Sequence, residues 1–207
     1  MTASLKRMKP EAVSRNLGQT GCCQEQQTLG ERVDKDLKKA VELYQQSADQ
    51  GYARAITNLG YLYETGTGVE RDAAKAAELY RRAADDGYAR AQCNLGILYE
   101  TGEGVERDPF MAAKLYRKAS AQNHNSATHN LGLCFKNGTG VPQNPIRAFQ
   151  CFEKAAKANL AVSQYQLGLC YEEGIGTEKD PGKAKEWYRK AADQGNSDAR
   201  KKLAELP

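Results

Sequence analysis

Apolar residues recur at intervals of three or four along most of the chain, with polar and charged residues between them. In residues 53–64 the apolar series is Ala55, Ile56, Leu59, Leu62 and Tyr63. This spacing places the side chains on one face of a helix, so it predicts an amphipathic α-helix and excludes an alternating β pattern. A second helix, ending near residue 86, is predicted by another such series: Ala76, Leu79, Tyr80, Ala83 and Ala84.

The two-helix pattern returns every 36 residues. The tripeptide Asn-Leu-Gly begins at Asn58, Asn94 and Asn130, and a Gln-Leu-Gly variant begins at Gln166. Three further series keep the same step: the Gly-x-Gly pairs 66/68, 102/104, 138/140 and 174/176; the residues Asp72, Asp108, Asn144 and Asp180; and the residues Gly87, Asn123, Asn159 and Gly195. Because four series share one register, the chain is identified as a repeat protein.

Local signals set the ends of both helices. Gly66 is predicted to end the first helix in the left-handed conformation, and Gly87 is predicted to end the second. Asp72 is a good N-cap for the second helix, and in later units the cap is followed by proline, as in Asp108-Pro109. A glycine inside a helix costs about 1 kcal/mol relative to alanine. The recurrence of Gly60 in each unit therefore predicts a close approach of two helices.

These signals predict an all-α solenoid of helix pairs with ten helices. Residues 1–35 break the pattern and are predicted to be a divergent N-terminal segment, partly disordered, with a degenerate first helix. The solenoid is predicted to span residues 36–207. It comprises a half repeat (36–51), four full repeats (52–87, 88–123, 124–159 and 160–195) and a polar C-terminal capping helix (196–207).

Charge and cysteine content limit the classes of function. The 30 basic and 26 acidic residues are interleaved and give a net charge of +4, which by itself indicates neither nucleic-acid nor membrane binding. No stretch approaches the ~20 consecutive apolar residues of a membrane span. The first ten residues lack the apolar core of a secretory signal, so we expect a cytoplasmic protein, with a mitochondrial transit peptide as the alternative. The six cysteines are then expected to be reduced.

No motif in the sequence supports catalysis. The two histidines, His124 and His129, are too few for a zinc site or an active site. The Gly-x-Gly pairs follow helices, whereas phosphate-binding loops follow strands, so they are predicted to be turns. We therefore expect no enzyme activity, no cofactor and no bound metal.

The repeat unit resembles that of the Sel1-like repeat family, a relative of the tetratricopeptide repeat. The resemblance rests on Ala91, Leu95-Gly96, Tyr99, Gly102-x-Gly104-Val105, Asp108, Ala112, Tyr116 and Ala119. It implies a right-handed superhelix of antiparallel helix pairs that acts as an adaptor or scaffold. In the family's secreted, cysteine-rich branch each repeat ends in Lys-Ala-Cys, and members bind β-lactams. Here the matched endings lack cysteine, as in Ala83-Ala84, so a ligand-binding or hydrolytic relative of that branch is only an alternative.

The same resemblance places one side of each first helix along a concave groove. In the first unit, Arg54, Thr57, Tyr61 and Glu64 share a helix face. With their counterparts, the candidate partner-binding residues are Arg54, Thr57, Tyr61, Glu64, Arg90, Cys93, Ile97, Glu100, His129, Leu133, Lys136, Tyr165, Leu169 and Glu172. Alternatively, these positions pack against the second helix and belong to the core.

The groove candidates predict the kind of partner. Apolar residues occupy the Tyr61 position in every unit, and three of four units carry glutamate at the Glu64 position. A peptide or helix with spaced apolar and basic side chains would fit such a surface. RNA binding is the alternative, through basic pairs such as Arg81-Arg82 and Arg117-Lys118 on the second helices. Acidic neighbours such as Glu78, four residues before Arg82, indicate instead a solvated helix face.

Overall fold

The computed structural model describes the backbone of residues 23–205 and the side chains of residues 35–205. Within this part of the chain there are ten α-helices and no strand. Helix α1 (Cys23–Asp49) is followed by α2 (Ala53–Thr65), α3 (Ala73–Asp85), α4 (Ala89–Thr101), α5 (Pro109–Ala121), α6 (Asn125–Asn137), α7 (Pro145–Lys157), α8 (Ala161–Glu173), α9 (Pro181–Asp193) and α10 (Ser197–Glu205). The predicted all-α solenoid is confirmed, and each full repeat contains one first helix and one second helix.

The glycine inside each first helix allows the two helices of a repeat to pack closely, as predicted. A Cβ atom added to Gly60 would lie 2.8 Å from the ring of Tyr80, and one added to Gly96 would lie 2.6 Å from the ring of Tyr116. Both tyrosine rings are completely buried. The aromatic side chain of the second helix therefore fills the space that the missing side chain leaves.

The predicted helix caps are also present. Asp72 and Asp108 each accept a hydrogen bond from the backbone N–H three residues later, and Asn144 and Asp180 do the same. Gly66 has a φ of 70° and Gly87 a φ of 86°, both in the left-handed region. In two repeats asparagine replaces glycine at the end of the second helix and takes the same conformation.

The second glycine of each Gly-x-Gly pair joins one repeat to the next. A Cβ on Gly104 would collide with the carbonyl oxygen of Ala73 in the preceding repeat, and one on Gly140 would collide with that of Pro109. Gly176 has the same relation to Pro145. The sequence predicted these segments only as turns. In the structure the turn of each repeat also packs, backbone against backbone, on the start of the previous second helix.

Helix α1 extends further toward the N-terminus than the predicted half repeat. It begins at Cys23, whereas the predicted half repeat begins at residue 36. In the other repeats a Gly-x-Gly turn and a cap separate two helices at the matched positions. Here Arg32 replaces the second glycine, and leucine rather than proline follows Asp36, so nothing interrupts the helix. The rest of the predicted divergent segment, residues 1–22, lies outside the described residues.

The apolar core continues through all the described repeats. One cluster of buried residues spans α1 to α5, a second spans α4 to α8, and a third joins α9 to α10. Tyr99 packs against the first two clusters, and Tyr171 packs against the last two. Among the described helices, none combines the length and apolar character that crossing a membrane requires.

Candidate functional site

The first helices lie side by side along the solenoid, as contacts between neighbouring repeats show. The Nζ atom of Lys136 in α6 donates to Gln166 in α8 over 3.1 Å. The Nζ atom of Lys202 in α10 donates to Glu172 in α8 over 3.0 Å. We call the solvent side of α2, α4, α6 and α8 the first-helix face. The groove candidates were predicted on this side of the helices.

Burial divides the groove candidates into two groups. Thr57, Glu64, Cys93 and His129 have relative exposures of 1%, 4%, 2% and 3%. The prediction that these four side chains are accessible is therefore wrong. In each helix they lie on the side that faces the second helix and the next first helix, so for them the alternative core assignment holds.

The buried candidates make internal contacts. The Thr57 hydroxyl donates to the carbonyl of Ala53 over 2.8 Å. His129 Nδ1 lies 2.8 Å from Ser163 Oγ in the next repeat, and its ring centroid is 5.6 Å from that of Phe152. Burial, with a smaller contribution from Lys136, lowers the pKa of His129 to about 4. Burial also raises the pKa of Cys93 to about 12, so its thiol stays protonated at neutral pH.

A glutamate–tyrosine pair joins the two helices of three repeats. The hydroxyl of Tyr80 donates to Glu64 over 2.8 Å, and that of Tyr116 donates to Glu100 over 2.7 Å. Tyr188 donates to Glu172 in the same way. This hydrogen bond is the first cause of the lowered pKa of Glu172, and the bond from Lys202 adds to it. The carboxylates are thus directed toward the second helices.

The third full repeat departs from this arrangement at both positions. Lys136 replaces the glutamate, and Phe152 replaces the tyrosine. A phenol opposite the lysine is therefore absent, and the lysine reaches Gln166 of the next repeat instead. The sequence had shown the lysine as an exception in an acidic row, but only the structure shows that its partner position changes with it.

The accessible residues of the first-helix face follow a spacing of four and then three. Arg54 and Arg90 are exposed, and Tyr61, Ile97, Glu100, Leu133, Lys136, Tyr165, Leu169 and Glu172 are half-buried. Asn58 and Asn94 are half-buried beside the arginines, and Nη1 of Arg90 lies 3.5 Å from Oδ1 of Asn58. Asn58 and Asn94 each follow an arginine by four residues, and this spacing could have identified them as neighbours of Arg54 and Arg90 on the helix surface.

The apolar row on this face consists of Tyr61, Ile97, Leu133 and Leu169, and part of it packs against the core. Ile97 and Leu133 pack against one buried cluster, and Leu169 packs against another. Their remaining surface is open to solvent. Each of these side chains therefore contributes to the core and also presents apolar surface.

The basic residues of the second helices also contact the protein itself. Arg82 donates to the carbonyl of Ala48, and Lys154 donates to that of Ser120, each in the preceding repeat. Lys190 lies over the ring of Trp187, 4.1 Å from its centroid. Arg82, which the sequence pairs with Glu78, thus contacts a backbone carbonyl instead. Arg117 and Lys118 are exposed, and RNA binding through this face stays a prediction.

Two surface cavities recur at matched positions of neighbouring repeats. One, of about 630 Å³, is lined by Arg81, Tyr99 and the segment from Val105 to Asp108. The other, of about 660 Å³, has Tyr63 and Asp72 in the corresponding places. Their recurrence identifies them as spaces between helix ends in the repeat architecture. Within the described residues, no three His, Cys, Asp or Glu side chains come together as a metal site would require.

Comparison with known proteins identifies the repeat. The profile of the Sel1 repeat matches five consecutive segments, residues 15–52, 53–88, 89–124, 125–160 and 161–196. The first begins inside the predicted divergent segment 1–35, and the other boundaries lie within one residue of those predicted. No curated protein sequence matches the chain.

Solved structures share the fold. A Sel1 repeat protein from Oxalobacter formigenes is 34% identical, with a TM-score of 0.76 over 86% of this chain and 73% of the other. A protective antigen with an SLR fold, present in uropathogenic Escherichia coli strains, is 34% identical, with a TM-score of 0.75 over 88% of this chain. The match covers 40% of that longer antigen. An immunity protein from Pseudomonas aeruginosa is 26% identical, with a TM-score of 0.55 over 77% of this chain and 59% of its own.

Proposed function

The chain belongs to the Sel1 repeat family, and from that membership we propose that it is an adaptor or scaffold that binds a partner segment along its first-helix face. Proteins of this family generally mediate protein–protein interactions. One observation supports this face. In all four full repeats the side chain at the Tyr61 position is apolar and half-buried, on the side of the first helix that reaches solvent.

The spacing of this apolar row suggests how a partner binds. Tyr61, Ile97, Leu133 and Leu169 lie on neighbouring helices, which in packed helical proteins are about 8–10 Å apart. An extended segment or a helix with regularly spaced apolar side chains can contact several of them at once. Binding would then bury the exposed part of each side chain, at about 25 cal/mol for every Å² of apolar surface removed from water.

The charge of the partner depends on which charged side chains of the first-helix face reach solvent. Basic partner residues were expected because Glu64, Glu100 and Glu172 were taken as accessible carboxylates. Glu64 is 4% exposed, and all three accept hydrogen bonds from tyrosines of the second helices. We therefore retain the apolar character of the partner segment and derive its charge from the fully exposed side chains, since Glu100 and Glu172 are half-buried and already accept hydrogen bonds. We propose a binding role without catalysis, in the cytoplasm, where free thiols such as those of Cys93 and Cys134 stay reduced.

Partner capture followed by a change in the apolar row tests this proposal. The full chain is immobilised, bound proteins are identified by mass spectrometry, and the affinity of each purified partner is then measured. Tyr61→Ala combined with Leu133→Ala is expected to weaken binding about tenfold or more, because apolar anchors carry much of the affinity of such interfaces. Helix content and melting temperature are measured first, since Leu133 packs on the core, and Tyr61→Ala alone serves as the milder variant.

The matched control is Phe110→Ala with Ile146→Ala. These two apolar residues are 74% and 61% exposed and lie at the starts of second helices α5 and α7, away from the first-helix face. Binding should survive this change. If the control removes binding and the Tyr61 and Leu133 changes do not, the partner binds the other surface and the proposal fails.

A further inference from the structure

The exposed charge on the first-helix face is unevenly distributed. In α2 and α4 the residues in the first turn that reach solvent are Arg54 and Arg90, at matched positions of neighbouring repeats. In α6 and α8 the matched residues are Ser126 and Val162, and in α10 the residue is Asp198. The exposed positive charge at this position is thus confined to α2 and α4, and Asp198 in α10 is paired with Lys201 over 3.6 Å.

The carboxylates of the same two helices do not cancel the arginines at the surface. Glu64 is buried and accepts a hydrogen bond from Tyr80, while Glu100 is half-buried and accepts one from Tyr116. Both acidic groups lie ten residues after the arginines, at the opposite end of each 13-residue helix. The guanidinium groups are therefore the charges that a ligand would meet first at this end of the face.

Asparagine side chains lie next to the arginines. Asn58 and Asn94 follow them by four residues, one helical turn away, and the amide oxygen of Asn58 lies 3.5 Å from Nη1 of Arg90. The amide nitrogen of each asparagine is a further hydrogen-bond donor. Arg90 also influences the next repeat, because after burial it is the second cause of the lowered pKa of His124. Arginine and asparagine donors in this arrangement suit a carboxylate.

We propose that the face formed by α2 and α4 binds an acidic stretch of the partner segment, with Asp or Glu side chains on Arg54 and Arg90. This inference rests on the proposed function and adds the charge and direction of the partner. Apolar residues next to the acidic stretch lie over Ile97, Leu133 and Leu169. The acidic end of the segment is therefore directed toward α2 and α4, where the exposed arginines lie.

The distance between repeats sets the expected pattern of acidic residues. Neighbouring packed helices are about 8–10 Å apart, and an extended chain advances about 3.3 Å per residue. Because side chains of an extended segment alternate between its two sides, two acidic residues that both face the arginines lie two or four positions apart, about 7 or 13 Å, a distance that the flexible arginine side chains can span. Acidic side chains at a regular spacing in the segment can thus contact the arginines of two successive repeats.

Selection from a random-peptide display library tests the inference on the full-length protein. The expected result is enrichment of peptides with two acidic residues two or four positions apart, next to apolar residues. A selected peptide should bind the Arg54→Ser, Arg90→Ser variant about tenfold more weakly, as expected for the loss of two charge-assisted contacts. Serine is the matched residue in α6, at Ser126, so the repeat already tolerates it.

The control removes the same charge elsewhere. Arg117→Ser with Lys118→Ser deletes two exposed cations of α5, and affinity for the selected peptide should be retained. Equal loss in this control would mean that only net charge matters and would overturn the inference. Amidation of the peptide's C-terminus should leave its affinity unchanged. Loss of binding on amidation would identify a terminal carboxylate as the ligand instead of acidic side chains.

The outcomes separate this inference from the proposed function. If enriched peptides lack acidic residues but stop binding when Tyr61 and Leu133 are changed, the face is a binding site and the acidic inference fails. If no peptide is enriched, or if enrichment is insensitive to changes on the first-helix face, both fail. Acidic peptides that depend on Arg54 and Arg90 support both.

Discussion

His129 shows how one position takes different roles in different repeats. The matched residues are Thr57, Cys93 and Tyr165, and the first two are buried as His129 is. Among them His129 alone can gain a proton at mildly acidic pH, and its imidazole is enclosed by Phe152 and Ser163. A buried imidazole without an acidic partner is more stable when neutral. Protonation therefore opposes folding at this position.

The stability of the protein is accordingly expected to fall below neutral pH. The pKa of His129 is about 4 in the folded protein, below its ordinary value of 6.5. The unfolded chain then binds the proton first as the pH falls, so stability present above pH 6.5 is lost progressively down to about pH 4. Between pH 7 and pH 5 the loss from this residue is about 2 kcal/mol.

Urea unfolding at the two pH values checks this expectation. His129→Cys, which installs the residue of the matched Cys93, should lose about 2 kcal/mol less stability between pH 7 and pH 5 than the unchanged protein. His124→Asn is the control for the other histidine, whose pKa is also lowered, first by burial and then by Arg90. Equal pH dependence of His129→Cys and the unchanged protein would contradict the assignment of a buried, neutral His129.

At the scale of the helical element, two glycines with similar backbone conformations have different surroundings. Gly87 ends α3 with a φ of 86°, and a Cβ added there would meet nothing within 4 Å. Gly104 has a φ of 71°, and its Cβ would collide with the backbone of Ala73. Both are in the left-handed region, so backbone strain is common to both. Only Gly104 adds contact between repeats.

Alanine substitutions should separate these two effects. Gly87→Ala is expected to lower the free energy of unfolding by about 1 kcal/mol, from backbone strain alone. Gly104→Ala is expected to lower it by about 3 kcal/mol or more, because the backbone of one repeat must also move away from the next. Thermal or urea unfolding of the two variants measures the difference. Equal losses would mean that the turn does not hold the repeats together.

The helices and their ends could be predicted from the sequence better than the accessibility of the groove residues. Caps such as Asp72 and interior glycines such as Gly60 act on their own helix or its partner within one repeat, so one 36-residue unit contains the signal. The accessibility of a groove side chain depends on the neighbouring repeat as well. Thr57 and Asn58 are adjacent in the sequence, and only the packing of three helices around them decides that Thr57 is buried and Asn58 is not.

For the whole molecule, the overlapping core clusters predict how truncation acts. Each cluster contacts the next through a shared aromatic residue, Tyr99 or Tyr171. Ending the chain after Asn159 removes α8 to α10 but leaves the cluster around Tyr80 intact. Because repeats mainly stabilise their neighbours, the shortened protein should stay helical and melt at a lower temperature.

Circular dichroism with thermal melting checks this prediction. A far-UV spectrum close to that of the full chain, per residue, and a lowered melting temperature are expected. A shortened chain with no helical signal would show that the core folds only as a single unit, contrary to the nearest-neighbour behaviour of a solenoid. Cutting within a repeat, after Gly140, should be more damaging than cutting between repeats, because it separates α6 from α7.

The packing of each turn glycine on the preceding repeat limits how such a chain can evolve. Every full repeat contains both contacting parts. Its turn glycine packs on the preceding repeat, and the start of its second helix can receive the turn glycine of the following repeat. A gene segment of 36 codons, duplicated in frame, therefore encodes a repeat that can pack on both the preceding and the following repeat without further change. Inserting or deleting part of a repeat would move the turn glycine away from the start of the preceding second helix, on which it packs. Lineages are thus expected to change the length of the binding face in whole repeats, while single substitutions on that face alter its specificity.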